Sequence, residues 1–464
     1  MLSRDNLYSY QQRAVEFIKQ NEACALAVDC GLGKTVSALT AFTDLSSSFD
    51  ARRTLVVAPL RVARKVWSDE LTEWSHLQDI QCAQIVGTPE QRMRALRTPA
   101  DIHTINREQL TWLHAQFIQN GKQVMRWPWD VVFLDESQSF KSQASQRWTA
   151  MRDLRRLCQR VVLLSGTIIP NGYSDLWSQY YLLDHGKRLG FTETAYHERW
   201  FERPLRGNEF DKWTVKPHAI KEIQAAIADI TLSLRAEDYL DLPEVVYNFI
   251  KVQLPPAAMQ VYKRMEREFI TDFKDKTLTA VNAGALDQKL LQLANGVVYV
   301  GEEKEVVEFH EEKVAALEEL LEAVPGKLLV AYYYRHDLER IKRVLTASGR
   351  RWAVLKSDAE FASWASGSLD VGVLHPLSAG HGLNDVYKSG CEDIVHFGCS
   401  ASLEAYIQVN DRLAGGHRRM GRNVKIHHVI AEGTRDIDYM RLLKSKASSQ
   451  DDLTRSLAQR VLGR

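Results

Sequence analysis

The sequence has no C-x-x-C pair, and its six cysteines (Cys24, Cys30, Cys82, Cys158, Cys391, Cys399) stand in no spacing with histidine that would suit zinc. They read as reduced core thiols of a cytosolic protein. No apolar run approaches the length needed to span a bilayer, and the opening MLSRDNLYSY lacks the apolar stretch of a signal peptide. The expected location is therefore cytoplasmic. Net charge is also nearly absent: 60 basic residues face 59 acidic ones, a formal +1. Such a balance gives no global electrostatic sign of nucleic acid, so any nucleic-acid track must be a local patch. Low-complexity tracts and short-period repeats are missing too.

What is present is an ordinary globular composition, 45% hydrophobic and 26% charged, in a 464-residue chain long enough for two or three domains. Short apolar runs recur as "ALAV" at 25–28, "TLVVAP" at 54–59, "DVVFLD" at 130–135 and "VVLLSG" at 161–166, separated by helical or loop-like segments. That alternation predicts a parallel sheet covered on both faces, an α/β fold. From about residue 170 to 325 helix-favouring segments dominate, among them "AAMQVYKRMEREFITDFKD" and "HEEKVAALEELLEA". The strand pattern restarts with "KLLVAYYY" at 327–334, "RWAVLK" at 351–356, "DVGVLH" at 370–375, "DIVHFG" at 393–398 and "VKIHHVIAEG" at 424–433. Two similar lobes with a helical join follow, divided near Leu240–Val246, where proline punctuates the chain. The expected domains are 1–245 and 246–464, the second with a helical lead-in over about 250–325. The terminal "DDLTRSLAQRVLGR" reads as an amphipathic helix packed on the second lobe.

The stretch "DCGLGKT", Asp29 to Thr35, leaves the run "ALAV" and enters a helical segment. A strand, a glycine turn and a helix direct backbone N–H groups and a helix dipole at one point, which is a phosphate site. Gly31 and Gly33 permit the wrap that also carries Cys30 and Leu32, Lys34 reaches the terminal phosphates, and the Thr35 hydroxyl ligates magnesium. The strict phosphate-loop pattern has glycine where this chain has Val28. About 100 residues on, "VVFLDES" ends a strand in Asp135 and Glu136. Nucleotide hydrolysis needs that pair, one carboxylate for the metal and one for the attacking water.

With both motifs in order, the chain resembles a superfamily-two helicase or translocase of the Swi/Snf-type branch over nearly its whole length. "LYSYQQRAVEFI" is similar to the adenine-reading motif, placing Gln11 on the base; "TLVVAPLRVARKVWSDE" resembles motif Ia; "WDVVFLDESQSFKS" resembles motif II, with Gln138 where histidine is commoner. "LLSGTIIPN" matches motif III, with Ser165 and Thr167 in coupling positions. "LRAEDYLDLPEVVYNFIKVQLPPAAMQVYKRM" is similar to the passage between lobes, and "HPLSAGHGLND", with Gly380 and Gly382, stands at a further coupling motif, where His375-Pro376 replaces Ser-Thr as in phage-encoded relatives. In motif VI Gln408 and Arg412 are in register, while the second arginine falls four residues late, on Arg419 or its neighbour Arg418.

The resemblance implies two tandem RecA-like lobes, ATP and Mg2+ as ligands, and an ATPase that moves along double-stranded DNA, forked or branched DNA included, in replication, repair or recombination. Lys34, Asp135 and Glu136 would act on the first lobe, with Thr35 and Asp135 on the magnesium. Arg412 and Arg419 would come from the second lobe when the lobes close. Contacts to DNA would be to phosphates, from Arg61, Arg64, Lys65, Thr104, Arg107, Lys141 and Ser378. Two other outcomes stay open: a strand-separating or branch-migrating helicase, with a wedge inside 170–325, and a nucleotide-dependent DNA-binding accessory with little motor action. Tyr332-Tyr333-Tyr334 read as core, and His375, His381 and His427-His428 as structural residues.

Overall fold

In the strand Ala23–Val28, Cys24, Leu26 and Val28 belong to one buried cluster and Ala25 and Ala27 to another, so its two faces enter separate cores. The same alternation runs along Val131–Asp135, where Val131 and Phe133 join the first cluster and Val132 and Leu134 the second. A strand apolar on both faces needs cover on both faces. This computed structural model, which describes residues 1–202, 213–240, 243–272, 288–300, 305–376, 389–399, 402–419 and 422–461, shows that cover as helices on either side of each main sheet.

The chain forms two units: Met1–Arg203, Trp213–Leu240 and Ser448–Arg464 make the first, and the bulk of the second is Asp241–Ala447. The first is built on seven strands: β1 (Ala23–Val28), β2 (Thr54–Ala58), β3 (Cys82–Ile85), β4 (Ile102–Asn106), β5 (Val131–Asp135), β6 (Arg160–Ser165) and β7 (Thr231–Leu234). Their order is β7-β1-β6-β5-β2-β4-β3, and every pair is parallel. Helix α1 (Ser9–Gln20) sends Ala14, Val15 and Ile18 into the cluster shared with α2 (Lys34–Ser47), which contributes Val36, Leu39 and Phe42. The opposite cluster gathers Trp148, Met151, Trp177 and Tyr180.

The second unit is a six-stranded parallel sheet of β8 (Val245–Val252), β9 (Leu328–Ala331), β10 (Trp352–Val354), β11 (Val371–Leu374), β12 (Asp393–His396) and β13 (Val424–Ala431), in the order β8-β13-β12-β9-β11-β10. Alternation again feeds two clusters, Leu328 and Val330 into one, Leu329 and Ala331 into the other. The fold is thus the expected α/β pair of RecA-like lobes. Among the described residues, no helix is long and apolar enough to cross a membrane.

Two features differ from the sequence reading. The stretch from 170 to 325 holds the helices Leu176–Asp184, Ala219–Ile227, Pro256–Asp272 and Glu312–Ala323, yet also β7, β8 and an antiparallel hairpin of Val297–Val300 with Glu305–Glu308. The terminal helix Arg435–Val461 does not end on the second lobe: from Ser448 it belongs to the first unit, where Leu453 and Leu457 sit in the core with Tyr180 and Ile223. Burial of two leucines there outweighs the proximity in sequence that favoured the second lobe.

Candidate active site

The turn after β1 has the backbone a phosphate requires. Gly31 and Gly33 adopt φ of 79° and 82°, a left-handed region that other residues enter at a cost. At Gly33 the demand is also steric, since a Cβ there would lie 2.2 Å from Gln11 Nε2. The N-cap of α2 is Gly33, which has no side chain to cap it, and among the described residues its first N–H groups are open to an anion. Gln11 is buried beside this turn: its Nε2 donates to the Leu32 carbonyl at 3.2 Å, and its Oε1 accepts the Tyr8 N–H at 2.9 Å. Lys34 Nζ donates to the Val28 carbonyl at 2.6 Å, so the strand residue that departs from the strict motif still anchors the lysine through its backbone. A Cβ at Gly166 would sit 3.7 Å from Lys34 Nζ and 3.7 Å from Cys30 Sγ, which places the turn after β6 beside the phosphate loop. Thr35 is half-buried in the first turn of α2.

β5 delivers the carboxylates. Asp135 is buried; its Oδ2 accepts the Trp67 indole N–H at 3.0 Å and its Oδ1 the Glu136 backbone N–H at 3.0 Å. Burial, then repulsion from Glu136, pushes its carboxyl up to about 6 against the pull of the Trp67 indole and Lys34. Such a buried acid gains by meeting a cation. The hard oxygen donors of Asp135 and Thr35 are of the kind that magnesium takes, and the residues fit the metal the nucleotide would bring. Glu136 adopts φ 53° and ψ 56°, a left-handed conformation uncommon outside glycine, and strain of this kind gathers at functional sites.

A relay leads away from Glu136. Gln138 Nε2 donates to Glu136 Oε2 at 2.7 Å, while Gln138 Oε1 accepts the Ser165 hydroxyl at 2.7 Å. Ser165 Oγ in turn accepts the Thr167 N–H at 3.0 Å. Two turns, after β5 and after β6, are thereby tied through one buried amide. The loop continues to Ile169, whose N–H donates to Gln450 Oε1 at 2.8 Å. On the other flank, Asp29 Oδ2 accepts the Ala236 N–H at 2.9 Å, and Arg235 pairs with Asp451 at 2.7 Å.

Of the residues expected at nucleic acid, Arg64 and Lys65 are exposed, and Arg61, Arg107 and Lys141 are half-buried, all following the carboxyl ends of β2, β4 and β5. Arg107 Nε donates to Glu108 at 3.0 Å. Thr104 is a correction. It is fully buried in β4 and its hydroxyl donates to the Ala63 carbonyl at 2.6 Å, leaving no surface for a phosphate. Ser378, Gly380, Gly382 and His381 lie outside the described residues. Arg412 and Arg419 are on the helix Leu403–Arg419, with side chains outside what is described, as is the side chain of Arg418. Gln408, on the same helix, is buried, and its Nε2 has no partner among the described residues.

Tyr332 is buried, as expected of core. The histidines of the second sheet form their own network: His427 Nε2 with Asp393 at 2.9 Å, His396 between Tyr333 and Asn410 at 2.9 Å each, and His428 stacked on His396 with centroids 5.2 Å apart. Sequence reasoning missed Trp67, Gln450 and the Arg235–Asp451 pair. The first carried a signal, a tryptophan within the motif Ia stretch; the others had none, because they depend on where the terminal helix packs.

Comparison with known proteins finds likeness over most of the chain. The family model of the SNF2-related domain matches residues 10–308. "Putative protein p41" of Acyrthosiphon pisum secondary endosymbiont phage 1 is 34% identical over 466 residues, covering 97% of this chain and 98% of that protein. The DNA repair and recombination protein RAD54-like of Gallus gallus is 29% identical over 275 residues, 54% of this chain; the match spans only 35% of that protein. Among solved structures, the Sulfolobus solfataricus SWI2/SNF2 ATPase core in complex with dsDNA aligns over 98% of this chain and 94% of that one, at 21% identity and a TM-score of 0.44.

Proposed function

We propose, for a chain that belongs to the SNF2-related family and is an ATP-hydrolysing enzyme of it, that hydrolysis on the first lobe drives movement along double-stranded DNA. The observation that carries the reading is the continuous set Lys34, Asp135, Glu136, Gln138 and Ser165 at the carboxyl ends of β1, β5 and β6, beside an uncapped helix terminus.

Each residue is assigned a task from its place in the motif set and, where its side chain is described, from its contacts. The turn Cys30–Gly33 and the start of α2 receive the phosphates, with Lys34 supplying positive charge. Gln11, whose amide already holds the Leu32 carbonyl, reads the adenine edge next to the same turn. Thr35 and Asp135 hold the magnesium, which when bound neutralises charge on the phosphates. Glu136 orients and deprotonates the attacking water, and Gln138 holds Glu136 in place. Ser165 and Thr167 sense the state of Glu136 through Gln138. Arg412 and Arg419 are candidates for adding charge to the transferring phosphate, a contribution that can be worth about 10³-fold or more in rate. Arg61, Arg64, Lys65, Arg107 and Lys141 grip backbone phosphates without reading sequence, as a motor stepping along any DNA must.

Triplex displacement distinguishes movement from strand separation. A translocase removes a third strand from a duplex in an ATP-dependent way and leaves a fluorescent fork paired. Unwinding of the fork would replace the proposal with the helicase reading, and DNA binding with no DNA-stimulated turnover would replace it with the accessory-protein reading.

A further inference from the structure

We infer that Trp67 is a positioning residue for Asp135, setting the carboxylate for the cation; this rests on the nucleotide site proposed above. The indole N–H and the Glu136 backbone N–H each donate to a different oxygen of Asp135, both at 3.0 Å. A carboxylate held at both oxygens cannot turn about its terminal bond without losing one contact. Each oxygen keeps a second lone pair. Both donors are neutral, so they orient the group and leave its charge for a cation, which an arginine in the same place would have cancelled.

Trp67 is itself locked. It is 1% exposed, and its ring lies 5.7 Å from that of Phe133, two residues before Asp135 on β5. The backbone ahead of it is unusual: Val62–Val66 forms a π-helical turn that runs directly into the α-helix Trp67–Glu73. One residue inserted in a turn rotates everything after it by about 100° around the axis, and such bulges recur at functional sites. The widened turn is tied from outside by the Thr104 hydroxyl on the Ala63 carbonyl at 2.6 Å and by Gln84 Nε2 on the Arg64 carbonyl at 2.7 Å. Thr104, expected at the nucleic acid, thus holds the turn that aims the indole. An indole kept only for its bulk would fill the core against Phe133 equally well with its N–H turned elsewhere.

The test is a Mg2+ titration of the full chain loaded with the fluorescent analogue mant-ATP, read as a fluorescence change and not as turnover. Trp67→Phe keeps an aromatic ring against Phe133 and removes the donor. Its Mg2+ dissociation constant should rise about tenfold, while mant-ATP affinity in EDTA stays within about twofold. A Mg2+ constant equal to that of the unmodified chain overturns the inference. Thr104→Val changes neither Trp67 nor Asp135 itself and serves as the second variant, of use if Trp67→Phe fails to fold. It should raise the Mg2+ constant in the same direction by a smaller factor, and no rise overturns the role of the turn. Lys34→Ala separates the two levels: if it binds mant-ATP normally, the nucleotide site itself is misassigned; if it loses mant-ATP while Trp67→Phe leaves Mg2+ binding untouched, only the present inference fails.

Discussion

Gln450, fourteen residues from the C-terminus, accepts the backbone N–H of Ile169 at 2.8 Å through its Oε1. The last helix therefore supports the loop that begins at Ser165, and the same helix supplies Asp451 to Arg235 and Ser456 to Gln224. Leu453 and Leu457 are essentially unexposed in the first lobe's core. Leu453→Ala should destabilise that lobe by about 2–5 kcal/mol, measured by urea unfolding followed through nucleotide binding. A loss under about 0.5 kcal/mol, the range of ordinary surface changes, would mean that the helix end is not packed as described.

Gly33 is constrained twice, by φ of 82° and by Gln11 Nε2 at 2.2 Å from any Cβ. Gly33→Ala should cost roughly 1–2 kcal/mol of backbone strain and push Gln11 off the Leu32 carbonyl. ATP affinity should fall about tenfold or more, equivalent to about 1.4 kcal/mol, in an equilibrium binding assay. Unchanged affinity would contradict the placement of the phosphates.

Gln138 links Glu136 to Ser165, so Gln138→Ala removes an orienting contact and not the base itself. Its kcat should fall roughly tenfold, less than the factor on the order of 10²–10⁴ expected for Glu136→Gln, with KM near normal because binding contacts are intact. Glu136→Gln should still bind nucleotide. Steady-state kinetics of the two variants decide the matter, and equal losses for both would show that Gln138 does more than orient.

The buried histidines of the second sheet make its stability depend on pH. Burial lowers the His396 ring to about 4, from an ordinary value of 6.5. Among the described residues the groups facing it are Tyr333, Asn410, Tyr406 and His428, none of which offers a charge to hold a proton. Between pH 6.5 and 4 the unfolded chain then binds a proton that the folded lobe refuses. Stability is fully present above 6.5 and is lost as pH falls through that window, by up to about 3 kcal/mol for this one residue. Thermal unfolding at pH 7 and pH 5 should show a fall in Tm that is smaller for His396→Gln; an equal fall would assign the effect to other groups.

Much of the architecture was legible because the central strands are apolar on both faces. "ALAV", "VVFLD" and "VVLLS" have few other homes than the middle of a parallel sheet. The strands that escaped include polar or short ones, "CAQI" and "TLSL" at the two edges of the first sheet and "IHTIN", whose period-two pattern is diluted by His103, Thr104 and Asn106, and also the eight-residue "VVYNFIKV" at an edge of the second sheet. Local motifs marked the phosphate loop and the strand-end acids, since Gly31, Gly33, Lys34, Asp135 and Glu136 act through their immediate backbone. Thr104 was misread because its nearness to Arg107 in sequence says nothing of which way a β-strand side chain faces. The supports contributed by Trp67 and Gln450 come from 68 and 281 residues away in sequence, and only folding brings them in.

ATP hydrolysis measured with and without duplex DNA tests the central claim most directly. The account predicts turnover that is stimulated by duplex, and abolished by Lys34→Ala whether duplex is present or not. Stimulation by single strands or RNA with none by duplex would contradict it.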